Sequence, residues 1–146
     1  MVTTQRINEI NEIIQDTGLI VTWDADKEVF TFQLSDTNKE TVDQWWHLLQ
    51  TLAYDWDTTQ PFNAIYEFSD GAELMTNYAR QMVTLVANEV GQLYPELRGR
   101  LAIVIPPTAQ ARFLRVFVQT LIYSNTLNFD VQIFNNRDAA LHWIAS

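Results

Sequence analysis

Three short apolar runs in the second half of the chain each break off at a polar turn, and each turn opens a segment with helical apolar spacing. Ala64-Ile65-Tyr66-Glu67-Phe68 meets Ser69-Asp70-Gly71, Leu101-Ala102-Ile103-Val104-Ile105 meets Pro106-Pro107-Thr108, and Val131-Gln132-Ile133-Phe134 meets Asn135-Asn136. A strand stopped by turn residues that also cap a helix, repeated three times, predicts an α/β domain. The run from Leu101 to Ile105 is apolar almost without interruption, the mark of a strand covered on both faces, and it is the expected central strand.

The first half adds two more strands. Leu19 to Trp23 and Val29 to Leu34 flank the turn-rich Asp24-Ala25-Asp26-Lys27-Glu28, which suits a hairpin. In the second of these, Phe30, Phe32 and Leu34 alternate with Val29, Thr31 and Gln33, so the strand has one strongly apolar face. Thr37-Asn38-Lys39-Glu40 has the spacing of a capping box, followed by a stripe through Val42, Trp45, Trp46, Leu49, Leu52, Ala53 and Trp56. Asp70, with Glu73 three residues on, predicts the start of a long helix that buries Leu74, Tyr78, Met82, Leu85 and Val86, continues that side with Val90 and Leu93, and ends there, where Tyr94-Pro95 stops it. Thr108 is the expected cap of a helix carrying Phe113, Leu114, Phe117, Val118, Leu121 and Ile122; Asn135 or Asn136 caps the last, short one. Residues 5–15 are ambiguous. Ile7, Ile10, Ile13 and Ile14 recur at helical spacing, yet β-branched side chains suit an edge strand or arm as well. The fold expected is a single-domain α/β structure with a mixed, mostly parallel five-stranded sheet and about four helices. Residues 1–17 form an N-terminal helix or arm, and residues 18–146 form the domain.

Composition narrows the functions more than it names one. A 146-residue chain with 47% hydrophobic content is long enough to bury a real core. Eighteen acidic against nine basic residues give a net charge of −9, which opposes nucleic-acid and anionic-membrane binding. Arg98, Arg100, Arg112 and Arg115 are the only grouping that would make a local basic patch. With no cysteine there is no disulfide, no thiolate nucleophile and no thiolate metal site. No apolar run approaches the ~20 residues needed to span a bilayer. A cytoplasmic protein without a membrane span is the expectation.

Few residues point to chemistry. Ser69-Asp70-Gly71 lies beyond the end of a strand, where open α/β sheets place ligands, and a helix start there would favour an anion or a phosphate on Ser69. A helix cap and a turn glycine account for the same residues. The neighbouring turn holds Thr108 and Gln110 behind two prolines, a rigid lip suited to a protein-binding face because proline offers no N–H to a phosphate. Arg112 and Arg115 share a helix face and suit a carboxylate-rich partner or a lipid headgroup, while ordinary solvation of a helix surface accounts for them as well. His47 and His142, the only histidines, have no metal-ligand spacing around them. A triad drawn from Ser69, His142 and Asp138 lacks a nucleophile elbow. The four glycines form no phosphate loop. No cofactor is expected.

Val131-Gln132-Ile133-Phe134-Asn135-Asn136-Arg137-Asp138-Ala139-Ala140-Leu141-His142-Trp143-Ile144 resembles the ending of the STAS domain, the family of anti-sigma-factor antagonists and its bacterial STAS-like relatives. Arg100-Leu101-Ala102-Ile103-Val104, with the aromatic and Arg-bearing helix after it, resembles their penultimate unit, and the element order is similar over residues 18–145. The resemblance implies a mixed sheet whose opening hairpin strand runs antiparallel to the later ones, with helices mainly on one side. It also implies a phosphorylated Ser or Thr in the turn after the strand at Ala64–Phe68. This chain departs from that pattern: Asp70 stands where the phosphoacceptor belongs, beside Ser69 and Gly71, as if permanently charged.

The function expected is therefore a non-enzymatic protein-interaction or signalling domain of the STAS-like type. Its surface would comprise Ser69, Asp70, Gly71, Thr108, Gln110, Arg112 and Arg115, and its partner would be another protein or a second copy in a homodimer. The alternative is a small-molecule or lipid carrier, which requires a sizeable apolar pocket under the helix at 72–93.

Overall fold

The computed structural model describes residues 4–14, 16–69, 72, 75–124 and 128–146. Its elements follow the order α1 (Thr4–Ile14), β1 (Leu19–Asp24), β2 (Val29–Leu34), α2 (Lys39–Asp55), β3 (Asn63–Phe68), α3 (Asn77–Leu93), β4 (Arg100–Val104), α4 (Arg112–Ser124), β5 (Asp130–Phe134) and α5 (Arg137–Ala145). The five strands form one sheet in sequence order, β1-β2-β3-β4-β5. β1 pairs antiparallel with β2 through the expected hairpin, and every later pairing is parallel. The middle strand is β3, not the run at Leu101–Ile105, which lies fourth.

Sequential parallel strands joined by crossovers of one hand put every connecting helix on the same face. The side chains record this. Phe30, Phe32, Ala64, Phe68, Ile103 and Ile105 pack with residues of α1 to α4 in the larger core. Val29, Ile65, Ala102 and Val104 point the other way and meet Ala140 and Ile144 of α5. The strand at Leu101–Ile105 is thus covered on both faces, as its composition predicts. α5 lies close against β3, β4 and β5, because its contact residue Ala140 is small and fully buried.

The ambiguous first segment is a helix. Ile7 and Ile10 enter the larger core, and the Asn11 side chain takes the place of a neighbouring strand for Val21, donating to its carbonyl at 2.6 Å and accepting from its N–H at 3.0 Å. That tertiary demand outweighs the modest helix propensity of Ile. Among the described residues five helices therefore accompany the sheet.

Two helix starts differ from the sequence pattern. Thr37 makes no capping box; Asn38 occupies the cap position of α2 without a side-chain bond. Thr37 is only 3% exposed, and its hydroxyl accepts from the Thr76 N–H at 3.0 Å while the Thr76 hydroxyl donates to the Thr37 carbonyl at 2.7 Å. Thr76, not Asp70, caps α3, accepting from the Ala79 N–H at 3.1 Å. The reciprocal Thr37–Thr76 pair satisfies buried polar groups on both segments, and this gain fixes where both helices begin. Asp70, Glu73 and Leu74 lie outside the described residues. α3 turns Ala79, Val86 and Ala87 inward and leaves Leu85 and Leu93 exposed, contrary to the expected stripe. By contrast, the last helix is capped as expected, Asn136 accepting from the Ala139 N–H at 2.8 Å.

Gly99 stands at a close approach before β4. A Cβ there would come within 1.8 Å of the Phe62 carbonyl oxygen, and the backbone on either side is engaged, Phe62 N–H donating to Arg98 and Asp130 N–H to Gly99. Backbone cannot yield as a side chain can. Gly99→Ala should lower stability by about 2 kcal/mol or more in urea unfolding; an unchanged midpoint would contradict this packing.

Candidate functional site

The strand directions decide where the sequence-predicted residues go. β2 to β5 are parallel, so Leu34, Phe68, Val104 and Phe134 end on one edge of the sheet, with Ser69, the 106–110 turn and Asn135 just beyond. Ser69 is bonded to the neighbouring strand end: its N–H and its hydroxyl both donate to the Leu34 carbonyl, at 3.0 and 3.2 Å. The next turn is closed by Thr108 N–H donating to the Pro106 carbonyl at 2.8 Å. Ala111 N–H donates to both oxygens of Thr108. Thr108 thus caps the turn that precedes α4, and helical structure begins at Arg112.

Thr108, Arg112 and Arg115 come together with Pro107, Ala109 and Asn135 around a shallow depression. The Arg115 guanidinium reaches the Ile105 carbonyl and the Asn135 side chain, at 3.5 and 3.4 Å. Gln110 is exposed and does not line it. Asp70 and Gly71 are outside the described residues. Asn135 belongs to this cluster although the sequence offered it only as a helix cap; its one signal was its place after the last strand. The four arginines do not form one patch. β4 separates Arg98 and Arg100 at its start from Arg112 and Arg115 beyond its end. Arg100 donates to the Trp143 carbonyl at 2.7 Å and lies over the Trp143 ring, tying down the end of α5.

A second feature lies under the helices. Between the sheet and α2, α3 and α4 is a cavity of about 460 Å³, within the range of small-molecule sites. Its wall on α2 carries Trp45, Trp46, Leu49 and Trp56; on α4, Phe117, Leu121 and Ile122. The sheet supplies Tyr66, Leu101, Ile103 and Val131. α3 covers it with Ala79, Val83, Val86, Ala87 and Val90, side chains too short to fill the space that the tryptophans hold open. Exposed Gln50 and Leu93 line it on the second halves of α2 and α3. This is where the carrier alternative requires a pocket.

Polar groups in the lining are few. The Tyr66 ring is held by stacking on Phe32 at 4.8 Å and by an edge contact with Trp45 at 6.2 Å. Its hydroxyl accepts from the Trp45 indole N–H at 3.1 Å, and burial pushes the phenol well above its usual pKa, so it keeps its proton. Among the described residues no three His, Cys, Asp or Glu side chains gather in a metal-binding cluster, and no helix is long and apolar enough to cross a membrane. Comparison with family models, curated proteins and solved structures finds no match.

On the α5 face of the same sheet edge, Glu67 is gripped by Arg137 through two bonds of 2.8 and 2.7 Å and also accepts from Gln33 at 3.2 Å. The Arg137 hydrogen bonds hold its carboxyl below the usual value of 4.5. A carboxyl lowered in the folded state contributes stability above its unfolded pKa and loses it as pH falls through the folded one. The stability advantage of the native chain over Glu67→Gln should therefore shrink as pH is taken from about 5 to about 3. Chemical unfolding at several pH values checks this, and a constant difference would show that the pair does not perturb Glu67.

Proposed function

We propose that this chain is a non-enzymatic carrier or sensor domain for a small apolar molecule, built on a STAS-like scaffold of the bacterial, cytoplasmic kind. The observation that carries the proposal is the apolar cavity beneath α3. A closely packed domain of this size has few voids larger than a water molecule, and an apolar space of hundreds of cubic ångströms sacrifices dispersion contacts on every wall. A ligand that fills it restores those contacts. The STAS-like part rests on the opening antiparallel strand and on the four helices that share one face, both of which the resemblance implies.

The neutral dye N-phenyl-1-naphthylamine should bind the native chain with one saturable site and strongly enhanced fluorescence. Val83→Phe, which fills the space from α3, should weaken that binding about tenfold or more without lowering the melting temperature. Unsaturable dye uptake, or uptake indifferent to the substitution, would remove the carrier reading.

A second reading, a protein-interaction or signalling surface, is favoured by one further observation. α4 presents Phe113, Val116 and Tyr123 at helical spacing on its outer side, 74, 53 and 87% exposed, beside Arg112 of the rim. Large exposed apolar residues in a stripe suit a partner face, and a second copy of the chain is one such partner. Sedimentation equilibrium tests the homodimer: the native chain should associate, and the double change Phe113→Glu with Tyr123→Glu should leave it monomeric and folded.

A further inference from the structure

Resting on the carrier reading, we infer that the cavity selects neutral apolar molecules that carry a hydrogen-bond-accepting oxygen, such as an ester or ketone, and rejects free carboxylates of the same size. Two features of the lining lead there. First, among the described residues none of its side chains is Lys, Arg or His, and its one carboxylate is Glu89. A carboxylate entering this space would lose its hydration with no cation to receive it, which is among the costliest transfers in protein chemistry. Glu89 adds like-charge repulsion to that loss.

Second, the cavity contains a donor that is not in use. The Tyr66 hydroxyl has one oxygen and one proton. The oxygen accepts from Trp45, while no acceptor within the chain takes the proton among the described residues. Phe32 and Trp45 fix the ring, and the Trp45 indole N–H fixes the side from which a lone pair is used. A half-buried donor held this way on an apolar wall rewards an acceptor oxygen on a guest, because a guest without one displaces water from the hydroxyl and leaves its O–H unpaired. Thr37 lines the cavity too, at the tied end of α2; its oxygen accepts from the Thr76 N–H, and its proton is a second hydroxyl donor on the wall. A neutral oxygen satisfies Tyr66 without bringing a net charge into the chamber.

The test uses the full chain and displacement of N-phenyl-1-naphthylamine by methyl decanoate, 1-decanol and decanoate at neutral pH. Methyl decanoate should displace the dye at least about tenfold more effectively than decanoate. Tyr66→Phe should weaken the ester and the alcohol about fivefold and leave the dye, which has no strong acceptor, bound as before. Decanoate competing as well as its ester would overturn the inference even if Tyr66→Phe failed to fold, because that comparison needs only the native chain. Unaltered ester affinity in a folded Tyr66→Phe would overturn it as well. Failure of the dye itself to bind would instead strike at the carrier reading beneath it.

Discussion

The handedness of the strand crossovers is the constraint from which the rest follows. Each βα unit winds the same way, and the strand order never reverses, so β2 to β4 send all their helices to one side. A sheet with three connecting helices and α1 crowded on one face must spread them over its whole width. The other face is left to α5 alone. The two sides solve their packing differently: α5 seats on the sheet through Ala140, whereas Trp45, Trp46 and Trp56 stand along one wall of the space between the sheet and α2, α3 and α4. The closely packed layer and the hollow one are consequences of the same topology.

Winding without reversal also removes the usual ligand crevice. Open α/β sheets commonly bind where neighbouring connections diverge to opposite faces. Here β3, β4 and β5 end side by side, and only the connection after β5 crosses to the far face. The gathering of Thr108, Arg112, Arg115 and Asn135 occurs at that point, between the start of α4 and the turn into α5. It is shallow and outward-facing. The apolar space of about 460 Å³ lies instead inside the thick layer, among the helices.

Strand positions were legible because alternation and continuous apolar runs report burial directly. Phe30, Phe32 and Leu34 against Val29 is an example, and so is the two-faced run from Leu101. Helix starts were less so, since several residues near a turn can cap and only tertiary partners choose among them. Thr37 had the spacing of a capping box and was drawn instead to Thr76, a residue 39 positions away. A pattern of large apolar residues puts Leu85 on the inward side of α3, but Leu85 faces outward, and small Ala79 and Ala87 face in. That substitution of small for large is what opens the cavity, so the feature with most bearing on function sat where a pattern based on bulk looks away. Trp45, Trp46 and Trp56 are the visible half of the signal; Ala79 and Ala87 on the facing helix are the other half.

The mutual grip of Thr37 and Thr76 is joined nearby by Tyr78 donating to Asp43, which Lys39 also contacts at 2.7 Å. These ties all fall at the first turns of α2 and α3. Gln50 and Leu93, by contrast, belong to the later turns of the same helices and open toward solvent. The fastening of the two helices is thus lopsided: among the described residues their side-chain ties gather at the starts of both, and the chamber's exposed lining lies toward their far ends.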